Sequence, residues 1–299
     1  MTHYTRFNGV AYLLKHHRNL IDAEFAINEG GGGVLDKNEK PVNMTLHAGE
    51  KVSQSYQLEV TSAGGHSARA PRDNAIYHLA EGLARLGKFD FPFTLSPTTR
   101  AYYQRLARIE TGQTATDMQA ILRNPPDQQA MERLYTRNPE YNSAVRTTCV
   151  ATMVDAGHAA NALPQRARAV LNCRVLPGES VDAVRATLVG VLADERIKIS
   201  PLGEAELSPP PPLTPAIVDA IERTTIEIWP GVPVVPALFV ASSDGRLLNN
   251  AGIWTYGASG MFVGVEGSGV HGLNEHIRVK SLYDGFDFLY RLGKRLALD

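Results

Sequence analysis

Long hydrophobic runs are absent from this chain of 299 residues. No stretch approaches the ~18 consecutive apolar residues that cross a bilayer, so no membrane-spanning helix is expected. A charge excess of one sign is absent too. Lys and Arg number 30 and Asp and Glu number 31, a formal net charge of −1, which provides no electrostatic footprint for nucleic acid or an anionic membrane as partner. Cysteine is nearly absent. Cys149 and Cys173 both lie in β-like runs and are expected as reduced core residues rather than as a disulfide or a metal pair. There is no internal repeat and no extended low-complexity tract.

What is present reads as an ordinary globular α/β chain. The start, MTHYTRFNGVAYLLKHHRNL, is too short in apolar content and too interrupted by charge for a secretory signal. It reads instead as a helix with Val10, Leu13 and Leu14 on one face. A chain that opens inside such an element suggests that further sequence belongs upstream. Next, AEFAINEGGGG reads as a buried strand running into a tight glycine loop, the place where open α/β sheets put their chemistry. KVSQSYQLEVTS alternates as a strand with one solvated face, and an amphipathic helix is expected from about Asp73 to Leu86.

The proline-interrupted stretch from Phe89 to Arg146 reads as an insertion on the side of that unit. Strands are expected at Thr147–Ala156 and Arg166–Val175, then a helix over ESVDAVRATLVGVLADE and a short strand at RIKIS. That order is a two-layer α+β module, and SPPPPLTP at 208–215 is the stiff connector that leaves it. The expected organisation is therefore a discontinuous α/β domain, residues 1–50 and 209–299, with an inserted α+β domain over 51–208.

Three loops join glycine to ionisable side chains: Asn28-Glu29-Gly30, Gly64-Gly65-His66-Ser67 and His271-Gly272-Leu273-Asn274-Glu275. Each is weak alone, since glutamate and histidine are common solvated loop residues. Taken in order, GGHSARAP, AGHAANALPQRARAVLNCRV, SSDGR with AGIWTYG, and HGLNEHIRVKSLYDGFDFLYRL closely resemble successive blocks of metallopeptidase family 20. That family includes aminoacylases, carnosine-type dipeptidases and glutamate carboxypeptidases. The resemblance runs from Asn8 to the last helix.

The resemblance implies a partial zinc-peptidase catalytic domain of α/β class with an inserted two-layer, ferredoxin-like lid/dimerisation domain. It implies hydrolysis of an amide or peptide bond next to a free carboxylate, in a dipeptide or an N-acyl amino acid. Glu29 matches a ligand of one of two zinc ions, and His271 matches a ligand of the other; carboxylate oxygen and imidazole nitrogen are ordinary zinc donors. His66 matches the lid histidine that, in the family's dimers, reaches the partner's site and stabilises the oxyanion. Asn161 and Arg174 match residues that hold the substrate's carbonyl and carboxylate, a task for which an arginine fork is suited. From the residues alone, Asn161 before Ala-Leu-Pro also fits a turn, and Arg174 also fits an ion pair within the lid. At the substrate loop Ala241 stands where the family usually has glycine.

The resemblance also implies missing parts. The family draws further ligands and its general base from a His-x-Asp block, a later Asp and a Glu-Glu pair. No His here is followed two residues later by Asp, and no two Glu are adjacent. The expectation is an N-terminally truncated chain, inactive alone, that dimerises through the lid and acts with a separate N-terminal segment if one exists. The alternative is a non-catalytic dimerisation or binding protein built on the lid.

Overall fold

The computed structural model describes residues 8–205, 207–270 and 272–298. In chain order the helices are α1 (Gly9–His16), α2 (Ala75–Leu86), α3 (Pro97–Ile109), α4 (Gly112–Ile121), α5 (Gln128–Arg137), α6 (Pro139–Ser143), α7 (Val181–Leu192), α8 (Pro215–Ile228), α9 (Gly245–Asn250) and α10 (Val279–Leu298). The strands are β1 (Phe25–Asn28), β2 (Gly32–Leu35), β3 (Pro41–Glu50), β4 (Val52–Thr61), β5 (Gly65–His66), β6 (Thr148–Ala156), β7 (Ala162–Leu163), β8 (Arg166–Val175), β9 (Lys198–Leu202), β10 (Val234–Phe239), β11 (Trp254–Gly257) and β12 (Phe262–Val263). They form two compact units, residues 1–50, 95–145 and 208–299 in the first and 51–94 with 146–207 in the second.

The second unit is a four-stranded antiparallel sheet in the order β6-β8-β4-β9, with α2 and α7 supplying the second layer. Alternation dictates the layering. Val52, Tyr56, Leu58 and Val60 of β4 and Ala167, Ala169, Leu171, Cys173 and Val175 of β8 all point inward, where Leu79, Leu86, Val184, Leu188 and Leu192 meet them. Local caps start the helices: the Asn74 side chain accepts from the Ile76 N–H, and the Ser180 side chain accepts from the Ala183 N–H. Tyr56 spends its hydroxyl on the Val181 carbonyl at 2.9 Å, so its burial leaves no unpaired donor.

The cysteines are not reduced. The register of β6 against β8 sets Cys149 opposite Cys173, and the two form a disulfide with Cα atoms 4.1 Å apart. Their separation of 24 residues in sequence carries no trace of that pairing, which only strand register creates.

The first unit holds a six-stranded mixed sheet along the path β1-β11-β3-β2-β12, with β10 parallel to β3. Its core gathers Met44, Leu46 and Ala48 of β3 with Ile217, Ile221, Trp229, Phe262, Phe288 and Leu292. β3 is a full ten-residue strand at a place where no element is expected from sequence, although Met44, Leu46 and Ala48 alternate inward. β1 was expected to be buried. It lies instead at the end of the sheet path, paired to β11, and its four residues are half-buried.

The helical segment 95–145 also departs from expectation, because it belongs to the first unit and not to the insert. Polar bonds to that unit explain the assignment. Thr98 Oγ1 donates to the Ala48 carbonyl at 3.3 Å, and Arg105 pairs with Glu222 at 2.5 Å while also donating to the Val234 carbonyl. Among the described residues no helix is long and apolar enough to cross a membrane.

Lys51 is the least expected member of the second unit's interior, at 1% exposure. Its ammonium donates to the Arg146 carbonyl at 2.7 Å and to Thr148 Oγ1 at 3.3 Å. Burial pulls its pKa down to about 7, with nearby Arg174 adding to the effect and Glu179 opposing it.

Two outcomes are expected from these features. Replacing Cys149 and Cys173 by serine, or adding reductant, lowers unfolding stability by about 3 kcal/mol, read as a fall in denaturant midpoint. For Lys51 the folded pKa is below the ordinary lysine value of 10.5, so the folded chain binds fewer protons than the unfolded one above pH ~7. Stability therefore rises with pH across that window. Between pH 6 and pH 9 the wild type gains about 2 kcal/mol relative to Lys51→Met in paired urea titrations; parallel titrations of the two proteins would contradict a lysine that titrates near neutrality.

Candidate functional site

In the first unit a narrow slot lies where β1, β3, β10 and β11 meet the loops that follow them. Asn28, Glu29, His47, Glu50, Phe239, Ser243 and Gly257 are among its lining residues. It leaves about 20 Å³ of free space, room for one water-sized group. Glu29 is exposed at the end of β1 and lines the slot. His271, the other expected ligand, lies outside the described residues.

The glycines after Glu29 have a steric reason. Gly30 and Gly31 have φ of 103° and 66°, conformations that L side chains rarely adopt. A Cβ on Gly30 would fall 2.7 Å from His47 Nδ1, and one on Gly31 would strike the carbonyls of Gly257 and Thr45. That closeness allows the Gly31 N–H to donate to His47 Nδ1 at 2.8 Å. Burial drives the His47 pKa down to about 4, so the ring is neutral at ordinary pH. With Nδ1 accepting, its proton resides on Nε2, and the ring stacks on Phe239 with centroids 4.8 Å apart.

Glu50 is the second buried ionisable group here, at 4% exposure. Burial raises its pKa, opposed by hydrogen bonds from Ser243 and by the charge of Arg246. Its carboxylate accepts from the Ser243 N–H at 2.5 Å and from Ser243 Oγ at 3.3 Å. Ser243 Oγ in turn accepts from Asn28 Nδ2 at 3.1 Å and from the Gly245 N–H at 3.0 Å. One serine thus ties the end of β1, the end of β3 and the start of α9. Half-buried Ala241 lies in the loop that this serine anchors. His47 and Glu50 were not singled out from sequence, and Asn28 and Ser243, though they fall in the Glu29 and Ala241 loops, were given no role of their own.

The remaining expected residues are in the second unit. β5 and β7 form a two-stranded ribbon that sets His66 opposite Ala162. The Ser67 N–H donates to the Asn161 carbonyl at 3.0 Å, so the structure brings His66 and Asn161 together, both exposed. His66 Nδ1 accepts from the Ala68 N–H at 3.1 Å, which leaves Nε2 as the ring nitrogen that carries a proton to donate. Arg174 is not part of this cluster. It lies between Ser53 of β4 and Thr148 of β6, while Arg166 marks the ribbon end of β8 opposite Thr61. Eight residues of strand between Arg166 and Arg174 amount to about 26 Å.

Among the described residues no group of three His, Cys, Asp or Glu side chains is arranged to hold a metal ion. Glu29, His47 and Glu50 share the slot without forming such a group, so the described residues do not by themselves fit a zinc site.

Comparison with known proteins accords with this architecture. A family model described as the peptidase dimerisation domain of M20 enzymes matches residues 48–199. Mouse N-fatty-acyl-amino acid synthase/hydrolase PM20D1 is 28% identical over 286 residues, covering 90% of this chain and 54% of the mouse protein. The probable carboxypeptidase S-like 2 of Dictyostelium discoideum is 28% identical over 82% of this chain and 47% of its own length. The chain thus spans about half the length of the curated relatives it matches. An M20 family metallo-carboxypeptidase from Sulfolobus solfataricus, Sso-CP2, shares the fold with a TM-score of 0.67 at 18% identity, over 97% of this chain and 67% of that one. Human carnosine dipeptidase 1 superposes with a TM-score of 0.60 at 12% identity. The chain belongs to the M20 peptidase family; the dimerisation-domain match at 48–199 takes in the second unit together with the segment 95–145, which packs in the first.

Proposed function

We propose that this chain is part of a zinc-dependent hydrolase of amide or peptide bonds next to a free carboxylate, acting on a dipeptide or an N-acyl amino acid. The observation that carries this reading is the dimerisation domain with His66 and Asn161 side by side on its β5–β7 ribbon. Mouse PM20D1 is by name an N-fatty-acyl-amino acid synthase/hydrolase, and the Dictyostelium relative is by name a probable carboxypeptidase S-like protein. Both names describe ligands with a carboxylate beside an amide.

Within this reading residues from two copies of the chain divide the work. Arg174 holds the substrate carboxylate through a planar, permanently charged fork. Asn161 orients the carbonyl. His66 supplies its Nε2–H to the oxygen that gains charge when water attacks, a donor that acts chiefly in the transition state. Ala241 narrows the loop next to the substrate by one Cβ where the family usually has none. Zinc is the metal that the family implies. The described residues do not by themselves make a site for it. The general base and remaining ligands belong to a separate or further N-terminal segment.

Dimerisation through the second unit is part of the same proposal. β6 is the outer strand of its sheet and exposes Val150, Met153 and Val154 at 56–67%. An apolar edge of that kind is a template for pairing with another chain. The reading as a purely non-catalytic dimerisation protein draws on this edge alone.

Two measurements check these points. Light scattering of the purified chain is expected to give twice 32.6 kDa, and Val150→Lys with Val154→Lys is expected to give monomers of unchanged circular dichroism. A monomeric wild type removes both readings of the lid. The chain alone is expected to retain less than stoichiometric zinc and to leave N-acyl amino acids and dipeptides intact, with both properties restored when the remaining segment is supplied. In that restored enzyme His66→Ala lowers kcat by about 10²–10³-fold with KM little changed. Stoichiometric zinc and turnover by the chain alone would sink the claim that it needs more sequence; an inert assembly would sink the hydrolase reading.

A further inference from the structure

Strand register sets a buried lysine beside Arg174 in the second unit. Arg174 of β8 stands opposite Ser53 of β4 and opposite Thr148 of β6. Val52 and Cys173 turn into the core, so alternation assigns Lys51, Ser53 and Arg174 to the other face of the sheet. Lys51 is two residues from Ser53, which makes it a diagonal neighbour of Arg174 at about 7–8 Å across the ladder. Thr148 links the two, since it faces Arg174 and its Oγ1 accepts from Lys51 Nζ at 3.3 Å. Next on that face, Asn172 Nδ2 donates to Ser55 Oγ at 3.1 Å, so the arginine's immediate surroundings are polar and uncharged. Arg174 is half-buried and Lys51 is 1% exposed; a ligand can touch the arginine but not the lysine.

Charges act on Lys51 from the elements packed around it. Glu179, ahead of α7, favours the charged ammonium, and its carboxylate accepts from Thr147 Oγ1. Arg174 disfavours it. The Arg146 guanidinium is turned to the Phe91 carbonyl at 3.2 Å and to Asp90 at 3.8 Å, and Glu50 is turned to Ser243. No histidine lies on β4, β6 or β8. A carboxylate that binds Arg174 relieves the repulsion between the two cations and so favours a protonated Lys51. Linkage makes the effect reciprocal: a protonated Lys51 strengthens the hold on that carboxylate by the same factor. Coulomb attraction across 7–8 Å of partly buried protein needs no contact.

We infer that Lys51 is the second cation of the carboxylate site at Arg174, a buried charge that strengthens the binding of an acidic ligand without touching it. It is a specificity residue that acts through the field at Arg174 and not a catalytic one. The inference rests on the carboxylate-binding role proposed for Arg174, and on neither zinc nor turnover. Lys51 changes charge near pH 7, so it attracts the ligand below that pH and is neutral above it. The carboxylate and the guanidinium stay ionised from pH 6 to pH 9, which leaves Lys51 as the group that changes between them.

Calorimetric titration of the chain with N-acetylglycine at pH 6 and pH 9 tests the inference, with N-acetylglycinamide as the ligand that lacks the carboxylate. The wild type is expected to bind N-acetylglycine about tenfold more weakly at pH 9. Near pH 7.5 it is expected to take up about half a proton per ligand, read from the dependence of the heat on the buffer's ionisation enthalpy. Lys51→Met, checked for folding by circular dichroism, is expected to show the weaker affinity at both pH values and no proton uptake. Arg174→Ala is expected to abolish binding. Proton uptake is read on the wild type, so a Lys51→Met chain that fails to fold leaves the test in force. Equal affinity at both pH values without proton uptake overturns the inference, and a loss of binding in Arg174→Ala then still upholds the carboxylate reading. Binding that survives Arg174→Ala, binding shared by the amide, or no binding by the wild type overturns both.

Discussion

The chain passes from one unit to the other through two consecutive buried ionisable side chains, Glu50 and Lys51, and each is satisfied within its own unit. Glu50 closes onto Ser243, and Lys51 onto the Arg146 carbonyl and Thr148. Burying either group without those partners would cost several kcal/mol. The arrangement therefore fixes more than two residues. Glu50 anchors the loop that carries Ala241 and, through Ser243, the Asn28 end of β1. Lys51 fixes the start of β4 against the chain returning at Arg146. Opposite shifts follow from the same cause, since burial favours a neutral carboxyl at Glu50 and a neutral amine at Lys51.

Much of the second unit was legible because alternation and sheet layering are local. KVSQSYQLEVTS and RARAVLNCRV each place every second residue inward, and a strand with one covered face needs nothing more to declare itself. Glycine next to Glu29 was legible for the same reason, as the turn needs positive φ. The disulfide was not, because Cys149 and Cys173 become neighbours only when β6 takes its register on β8. The segment 95–145 lies within the dimerisation-domain match yet packs in the first unit, and its helices show amphipathic spacing but not which core they face. That is decided by Arg105, whose partners Glu222 and Val234 are more than a hundred residues away.

The candidate site divides along the same line. Motif blocks identify Glu29, His66, Asn161 and Arg174, residues whose chemistry shows in their type. His47 and Glu50 show nothing in their type. They matter as a buried acceptor for the Gly31 amide and a buried anchor for Ser243, and both roles exist only once β3 lies beside β10 and β11. Support of this sort is invisible in a motif yet determines whether the motif residues hold their geometry.

Strand length finally constrains how the lid residues could act. His66 and Asn161 share the ribbon beyond Arg166, and Arg174 lies about 26 Å along β8 from there. A dipeptide spans about 7 Å even when fully extended. A ligand of that size held by Arg174 is therefore remote from the ribbon at the other end of the same sheet. The carboxylate-binding role proposed for Arg174 and the oxyanion role proposed for His66 are compatible only if the two residues come from different copies of the chain. Pairing of two copies is then a condition of the proposed chemistry, and the β6 edge with Val150, Met153 and Val154 is the surface proposed for it.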